Sequence, residues 1–217
     1  MNEERPTLDP ERVDLDMLAP LMDASDYGAG HFDPATGQVI PSFEGEALDA
    51  DGEPADAGEQ DWVPVEPVGS RTGYGDMEVF TAAVADPAVR RRLELALEGH
   101  GPFRRFRDAL HEAPEPLRAA WFRFRDARAE SRAIEWLVRL DLVEAEPAAA
   151  IVRDRAETAD RALTEVAKRD GLQVEERDAP RRWPEILRAL GDGRPVRLTS
   201  GGEPWAVIEP LNRPGTR

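Results

Sequence analysis

The stretch that most constrains the fold is a helix predicted to open at Pro114 and Pro116 and to run to about Leu140. At about 100° per residue its apolar side chains form two separate stripes. The first stripe is Leu117, Trp121, Phe124, Ala127, Ile134 and Val138, and the second is Phe122, Ala129, Ala133, Trp136 and Leu140. A helix with two apolar faces has to be covered on both sides, so other elements must pack around it.

Between the two stripes lies a set of arginines that we call the arginine row: Arg125, Arg128, Arg132 and Arg139. The apolar surface on either side should shield them partly from water, and a shielded guanidinium needs an anion. With Trp121 and Phe124 beside it, the row has the mixture of arginine and aromatic side chains that binds single-stranded nucleic acid. The alternative is ion pairing with carboxylates of the same chain.

The distribution of charge helps to decide between these readings. The acidic leader, residues 1–70, holds 18 Asp and Glu against 2 Arg, whereas residues 71–217 hold 26 charges of each sign. Because a neutral body has no net attraction for phosphate, we favour internal pairing over nucleic-acid binding. The leader could also occupy the arginine row as a phosphate mimic, in which case deletion of residues 1–61 should increase nucleic-acid binding at low salt.

A second candidate anion site lies further upstream. Gly99 and Gly101 mark a turn, and Arg104, Arg105 and Arg107 follow in the next predicted helix. The backbone N–H groups and the positive dipole end of a helix N-terminus favour an anion at such a place. The alternative is a helix stop and restart whose arginines pair with nearby acidic side chains.

Composition excludes several classes of protein. The chain has no cysteine and three scattered histidines, which leaves neither a disulfide framework nor a zinc site of the usual kind. No apolar run approaches the roughly 20 residues of a membrane span, and the acidic start lacks the features of a signal peptide. Nucleophile-elbow, P-loop and Rossmann patterns are absent from the sequence. We expect a cytoplasmic protein without metal or cofactor, with no catalytic residues assigned.

Up to residue 70 the sequence predicts short elements separated by polar segments. In chain order they are a disordered acidic start (1–12), a helix over Val13–Asp23, a hairpin over His31–Phe43, an acidic loop (44–61) and a strand over Trp62–Glu66. Pro34 and Gly37 suit the hairpin turn, because proline fixes φ and glycine accepts a left-handed conformation. Pro64 cannot donate to an interior ladder, so the last strand should lie at an edge.

The middle of the chain is predicted to be helical. Asp86 is a typical N-cap residue before Pro87, and Pro102 opens the next helix, with Phe103 and Phe106 on its apolar face. A further helix opens at Pro147, within a connecting segment (143–171), and carries a narrow Ala-rich seam. We prefer a connector to a helix that packs on a partner helix.

Four separated motifs run through the first two thirds of the chain: HFDPATGQV (31–39), GYGDMEVF (73–80), LALEGHGPFRRFRDAL (95–110) and AAWFRFRDARAESRAIEWL (119–137). Through them, residues 13–142 resemble a bacterial group with no assigned activity, Uncharacterised Protein Family 0158. The resemblance implies a small hairpin sheet with a helical bundle, and it implies no catalytic residues.

The C-terminal region changes to a β-α-β-β pattern. Its predicted elements are a strand over Leu172–Glu176, a helix over Pro180–Leu190, and strands over Pro195–Thr199 and Trp205–Glu209, before a short tail (212–217). Trp183 and Trp205 occur at inward-facing alternations and are predicted to anchor the core.

The glycine turns, the strand ending in Thr199 and the Pro204-x-Ala206-Val207 run make residues 172–211 resemble Phd/YefM (prevent-host-death) antitoxins. The resemblance implies a homodimer and, in true antitoxins, operator binding. Glu203 stands where that family usually has a basic residue, so we transfer the fold and the dimer more readily than the DNA binding.

The predicted class is α+β: a helical domain with a small antiparallel hairpin sheet, plus a small C-terminal β-α-β-β module. We expect a non-enzymatic interaction or regulatory protein, antitoxin-like, that binds a protein partner such as a toxin by charge complementarity and dimerises through residues 172–211. The alternatives are a nucleic-acid-binding regulator that uses the Arg-rich helices, and an uncharacterised hydrolase or nuclease.

Overall fold

The computed structural model describes residues 7–23, 30–43, 46–48, 54–55, 61–167, 171–192 and 194–209. The chain divides into two units, Met1–Glu165 and Val166–Arg217. The first unit is mainly helical with a small antiparallel sheet, and the second combines one helix with a second small sheet. The predicted α+β class is confirmed.

The described helices of the first unit are α1 (Leu15–Asp23), α2 (Ser70–Ala83), α3 (Pro87–Leu97), α4 (Pro102–His111), α5 (Glu115–Arg139) and α6 (Ala145–Ala167), which continues into the second unit. Asp86 caps α3 as predicted, because its carboxylate accepts hydrogen bonds from the N–H groups of Ala88 and Val89 at 2.8 and 3.0 Å. Pro20 lies inside α1, which continues for three residues beyond it.

Helix α5 is covered on both sides, as its two stripes predict. On one side Trp121 meets Phe80 and Phe106 edge-on, with ring centroids 5.1 and 4.9 Å apart. On the other side Trp136 meets Phe32 in the core that also holds α1 and the sheet. Phe122 and Leu140 were assigned to the second stripe, but they are 48% and 42% exposed and contribute little to either core.

The sheet of the first unit is antiparallel, in the order β4-β3-β2-β1-β5. Its strands are β1 (Gly30–Phe32), β2 (Val39–Phe43), β3 (Glu46–Leu48), β4 (Pro54–Ala55) and β5 (Val63–Pro64). The predicted hairpin is confirmed, with His31 opposite Ile40 and with Gly37 in the left-handed region at φ 81°. The strand that contains Pro64 lies at an edge, as predicted.

Two predictions about the acidic leader need correction. Leu8 was placed in a disordered start, but its N–H donates to the carbonyl of Leu142 at 2.9 Å and its side chain is buried in the core. The acidic loop was expected to lack structure, yet β3 and β4 pair within it. Of these two segments, residues 1–6, 44–45, 49–53 and 56–60 lie outside the described part of the chain. The leader also supplies Leu18 and Phe32 to the core, so removing residues 1–61 would remove part of the fold.

Helix α6 was predicted to open at Pro147 and preferred as a connector. It begins two residues earlier, at Ala145, and it extends from the first unit into the second. Arg155 binds Glu130, and Glu165 binds Arg123, so two ion pairs join α6 to α5. Ala148 is fully buried in the core of the first unit. Residues of α6 thus take part in the core and in the ion pairs of the first unit.

The second unit has the predicted β-α-β-β order. Its elements are β6 (Leu172–Glu175), α7 (Trp183–Gly191), β7 (Val196–Ser200) and β8 (Glu203–Ile208). The strands form a sheet in the order β6-β7-β8, with β6 parallel and β8 antiparallel to β7. The core consists of four buried residues: Val174, Ile186, Ala189 and Val196. Residues 210–217, which include the predicted tail, lie outside the described part.

Candidate functional site: the arginine row and the adjoining cavity

A buried carboxylate receives the central part of the arginine row. The side chain of Asp76, on α2, is only 4% exposed. Its Oδ1 accepts a hydrogen bond from Arg128 Nε at 3.1 Å, and its Oδ2 accepts one from Arg132 Nη1 at 2.7 Å. These charge-assisted bonds fix α2 against α5 at this point.

Arg132 also reaches α1. Its Nη2 donates to both carboxylate oxygens of Asp23 at 3.0 Å, so one guanidinium joins α1, α2 and α5. Burial raises the pKa of Asp23 above its ordinary value, although Arg132 opposes this effect. Burial by itself lowers the pKa of Arg132, but Asp23 and Asp76 outweigh it and raise that pKa. Asp23, Asp76, Arg128 and Arg132 form what we call the ionic cluster, in which Arg132 binds both carboxylates and Asp76 binds both guanidinium groups.

The remaining members of the row point elsewhere. Arg125 donates from Nε and Nη2 to Asp126 at 2.9 and 2.6 Å, and its guanidinium lies 5.0 Å from the centre of the Phe122 ring. Arg139 is exposed at the end of α5. Internal pairing, the favoured reading of the sequence, is confirmed for Arg125, Arg128 and Arg132. Asp23 is a leader residue, whereas Asp76 lies beyond the leader.

The turn around Gly99 and Gly101 joins α3 to α4. Both glycines are left-handed, at φ 80° and 68°, which favours glycine at these positions. Arg105 donates to the carbonyls of Leu95 and Glu98 at the C-terminal end of α3. This guanidinium therefore satisfies carbonyl groups that the helix end leaves without partners.

The other two arginines predicted at this turn lie outside that contact. Arg104 lies 3.9 Å from Asp108 in an exposed pair one helical turn away. Arg107 is exposed on α4. The structure thus brings Arg105 to the turn itself and leaves Arg104 and Arg107 on the outer surface of the helix.

Beside the ionic cluster lies a cavity of about 640 Å³ between α1, α2 and α5. Trp121, Met77 and Ala129 form part of its apolar lining. Phe103, predicted to point into the core, is instead 46% exposed and forms one side of the cavity. A Cβ at Gly73 would lie 3.3 Å from the Phe103 ring, so the glycine allows this approach of α4 to α2.

The polar lining of the cavity is mainly acidic. The carboxylates come from Asp16 and Asp23 on α1, Asp76 on α2, and Asp126 and Glu130 on α5, against the single guanidinium of Arg125 among the lining residues. Four of these five acids have cationic partners: Arg128 and Arg132 bind Asp76, Arg132 binds Asp23, Arg125 binds Asp126, and Arg155 binds Glu130. Asp16 is exposed near the start of α1.

The second unit carries a different kind of surface. Trp183 and Trp205 were predicted to anchor its core, but they are 49% and 59% exposed. Two further apolar residues are more than half exposed. They are Leu187, one turn after Trp183 on α7, and Val207, two residues after Trp205 on β8. Trp205 lies at a β-bulge of β8, and along the rest of the strand the exposed Val207 is followed by Ile208, which packs on the core.

The sequence model described as Uncharacterised protein family (UPF0158) matches residues 15–149, more than half of the chain. The chain belongs to UPF0158. A UPF0158 protein of Pseudomonas aeruginosa is 30% identical over 140 residues, which cover 61% of this chain and 86% of that protein. The matched region of this UPF0158 protein contains the ionic cluster and the cavity. No solved structure matches the chain significantly.

Asp23 and Asp76 were not predicted as the partners of Arg128 and Arg132. Asp76 lies 52 residues before Arg128 and 56 before Arg132, so the spacing of neighbouring residues cannot predict the contact. The available signal was the position of Asp76 four residues before Phe80, which places it on the apolar face of α2, where an unpaired carboxylate would be costly. None of the helices that the structure describes combines the length and apolar character needed to cross a membrane.

Proposed function

We propose that this protein is a non-enzymatic interaction protein that forms a homodimer through its second unit and binds a protein partner. The observation that carries the proposal is the uncovered pair Trp205 and Val207 on β8. They belong to a unit of only 52 residues whose described core holds four buried side chains. A unit of this size buries a smaller fraction of its surface than a larger domain does, so covering further apolar area would add to its stability.

The apolar character of the uncovered surface supports self-association. The exposed part of Trp205 is on the order of 120 Å², and covering it at about 25 cal/mol per Å² contributes roughly 3 kcal/mol for each copy. β8 is also an edge of the sheet, and an apolar edge strand favours pairing with another chain. A second copy offers the same apolar face and the same edge, as a two-fold interface requires.

Nucleic-acid binding is less well supported. The anionic partners of Arg128 and Arg132 are already provided by Asp76 and Asp23. In the second unit, the N–H of Gly201 in the β7–β8 turn donates to Glu175 at 2.6 Å, which occupies a group that could otherwise contact phosphate. We therefore expect only weak binding of a labelled single-stranded oligonucleotide at low salt, with no change in Arg128→Ala.

The dimer is tested by light scattering on the full chain after size-exclusion chromatography. We expect about twice the chain mass of 24.1 kDa, and a monomer for Trp205→Glu. Phe122→Glu is the matched control, because Phe122 is an exposed aromatic residue of the first unit. Circular dichroism shows whether each variant is folded. A monomeric native chain at high concentration, or a folded Trp205→Glu dimer, would overturn the homodimer.

The specific form of this proposal is an antitoxin role, as the likeness of residues 172–211 to Phd/YefM suggests. The acidic leader would then complement a basic surface of a toxin. The test is to express the product of the adjacent gene with and without this protein. Growth arrest that this protein relieves supports the role, whereas a harmless neighbouring product, or arrest without relief, refutes it.

A further inference from the structure

The cavity of the first unit has the size and lining of a small-molecule site. Its volume of about 640 Å³ lies within the range of ligand pockets, roughly 300–1,000 Å³. Trp121 and Met77 form a buried apolar wall, and the half-exposed ring of Phe103 lies where α4 meets α2. The lining therefore combines an apolar base with carboxylates from three different helices.

The charges of the side chains that line the cavity favour a cationic ligand. Five carboxylates and one guanidinium line the cavity. Arg128, Arg132 and Arg155 contact lining acids but are not themselves part of the lining. When these three arginines are counted with the lining residues, the five carboxylates exceed the guanidinium groups by one negative charge. Asp16, a lining acid that none of these three arginines binds, is exposed and lies on the same face of α1 as Asp23, seven residues later.

The arrangement suits an organic cation better than a metal ion. Among the residues that the structure describes, no group of three or more acidic or histidine side chains is placed to hold a metal ion. The carboxylates are instead spread around apolar and aromatic walls. An ammonium or guanidinium group with an apolar body can use both features, because the cation is attracted to a carboxylate and to the face of an aromatic ring.

We propose that this cavity binds a small organic amine, with the cationic group beside Asp16 and the apolar body against Trp121 and Phe103. The site lies within the first unit, so the proposal is independent of the dimer through Trp205. Asp23 and Asp76 hold α1 and α2 in place through Arg132 and so maintain the shape of the cavity. They are positioning residues for the site, whereas Asp16 contacts the ligand.

The test uses three probes of similar shape and different charge: benzylamine, benzyl alcohol and benzoate. Two-dimensional NMR of the full chain follows the indole N–H of Trp121, assigned with Trp121→Phe. We expect benzylamine to shift this signal with a Kd on the order of 1 mM, as befits so small a ligand. Benzyl alcohol should bind at least threefold more weakly, and benzoate should not bind.

Variants locate the cation. Asp16→Asn should weaken benzylamine binding about threefold to fivefold, the range of a partly exposed ion pair, and Asp16→Lys should weaken it further. Glu78→Gln is the matched control, since Glu78 is exposed on α2 and does not line the cavity. Equal binding of all three probes, no shift of the Trp121 signal, or unchanged affinity in both Asp16 variants would overturn the proposal.

Discussion

Replacing Asp76 with Asn tests the ionic cluster most simply. The amide keeps the shape of the carboxylate, but it loses the charge and directs an NH₂ donor at one of two guanidinium groups that are donors themselves. Breaking a fully buried ion pair costs about 3–5 kcal/mol. Here Arg128 is half exposed and Arg132 retains Asp23, so we expect a smaller loss of about 2–3 kcal/mol in the free energy of unfolding.

The loss is measured by thermal and urea unfolding followed by far-UV circular dichroism, which mainly reports the helices of the first unit. For a chain of this size it corresponds to a fall in Tm of roughly 5–10 °C. Glu78→Gln is the control, because it removes one acidic charge from the exposed face of the same helix. The interpretation fails if Asp76→Asn costs no more than this control.

Three further substitutions test other parts of the account. Burial raises the pKa of Asp23 above 3.8. At pH values between the unfolded and the folded pKa, the Asp23 carboxyl is therefore protonated in the folded protein and ionised in the unfolded chain. The free energy of unfolding falls as the pH rises through this range. In Asp23→Asn, the free energy of unfolding measured from about pH 4 to 7 should therefore decline less with rising pH than it does in the native protein. The same pH dependence in both proteins would contradict this. Asp86→Ala removes the N-cap of α3 and should cost about 1 kcal/mol in urea unfolding; a cost near zero would show that the cap is unimportant. Gly37→Ala places a Cβ 2.5 Å from the carbonyl oxygen of Arg12, at φ 81°, and should lower Tm by several degrees in a thermal scan; an unchanged Tm would mean that the turn relaxes.

The elements that the sequence predicted correctly are those with local physical causes. Asp86 and Pro87 fix the start of α3 through a cap and a preset φ, and Gly37 allows the hairpin turn. These effects need only a few neighbouring residues, so they can be read without the fold. The same holds for the two-sided burial of α5, which follows from its own periodicity.

The errors arise where the answer depends on distant residues. Trp183 and Trp205 fit inward-facing patterns, yet the one α-helix and three strands described in the second unit leave these two rings about half exposed. Leu8 looked like part of a disordered start because its partner, Leu142, lies far along the chain. The cavity likewise required the packing of α1, α2 and α5, which no local pattern specifies.

Arg128 and Arg132 hold α1, α2 and α5 together through the carboxylates of Asp23 and Asp76. A double-mutant cycle of Asp76→Asn and Arg132→Gln measures this directly as a coupling free energy of unfolding. Because the two side chains are in contact and largely buried, the account predicts a coupling of about 1–3 kcal/mol. Additive effects, within about 0.5 kcal/mol, would contradict it.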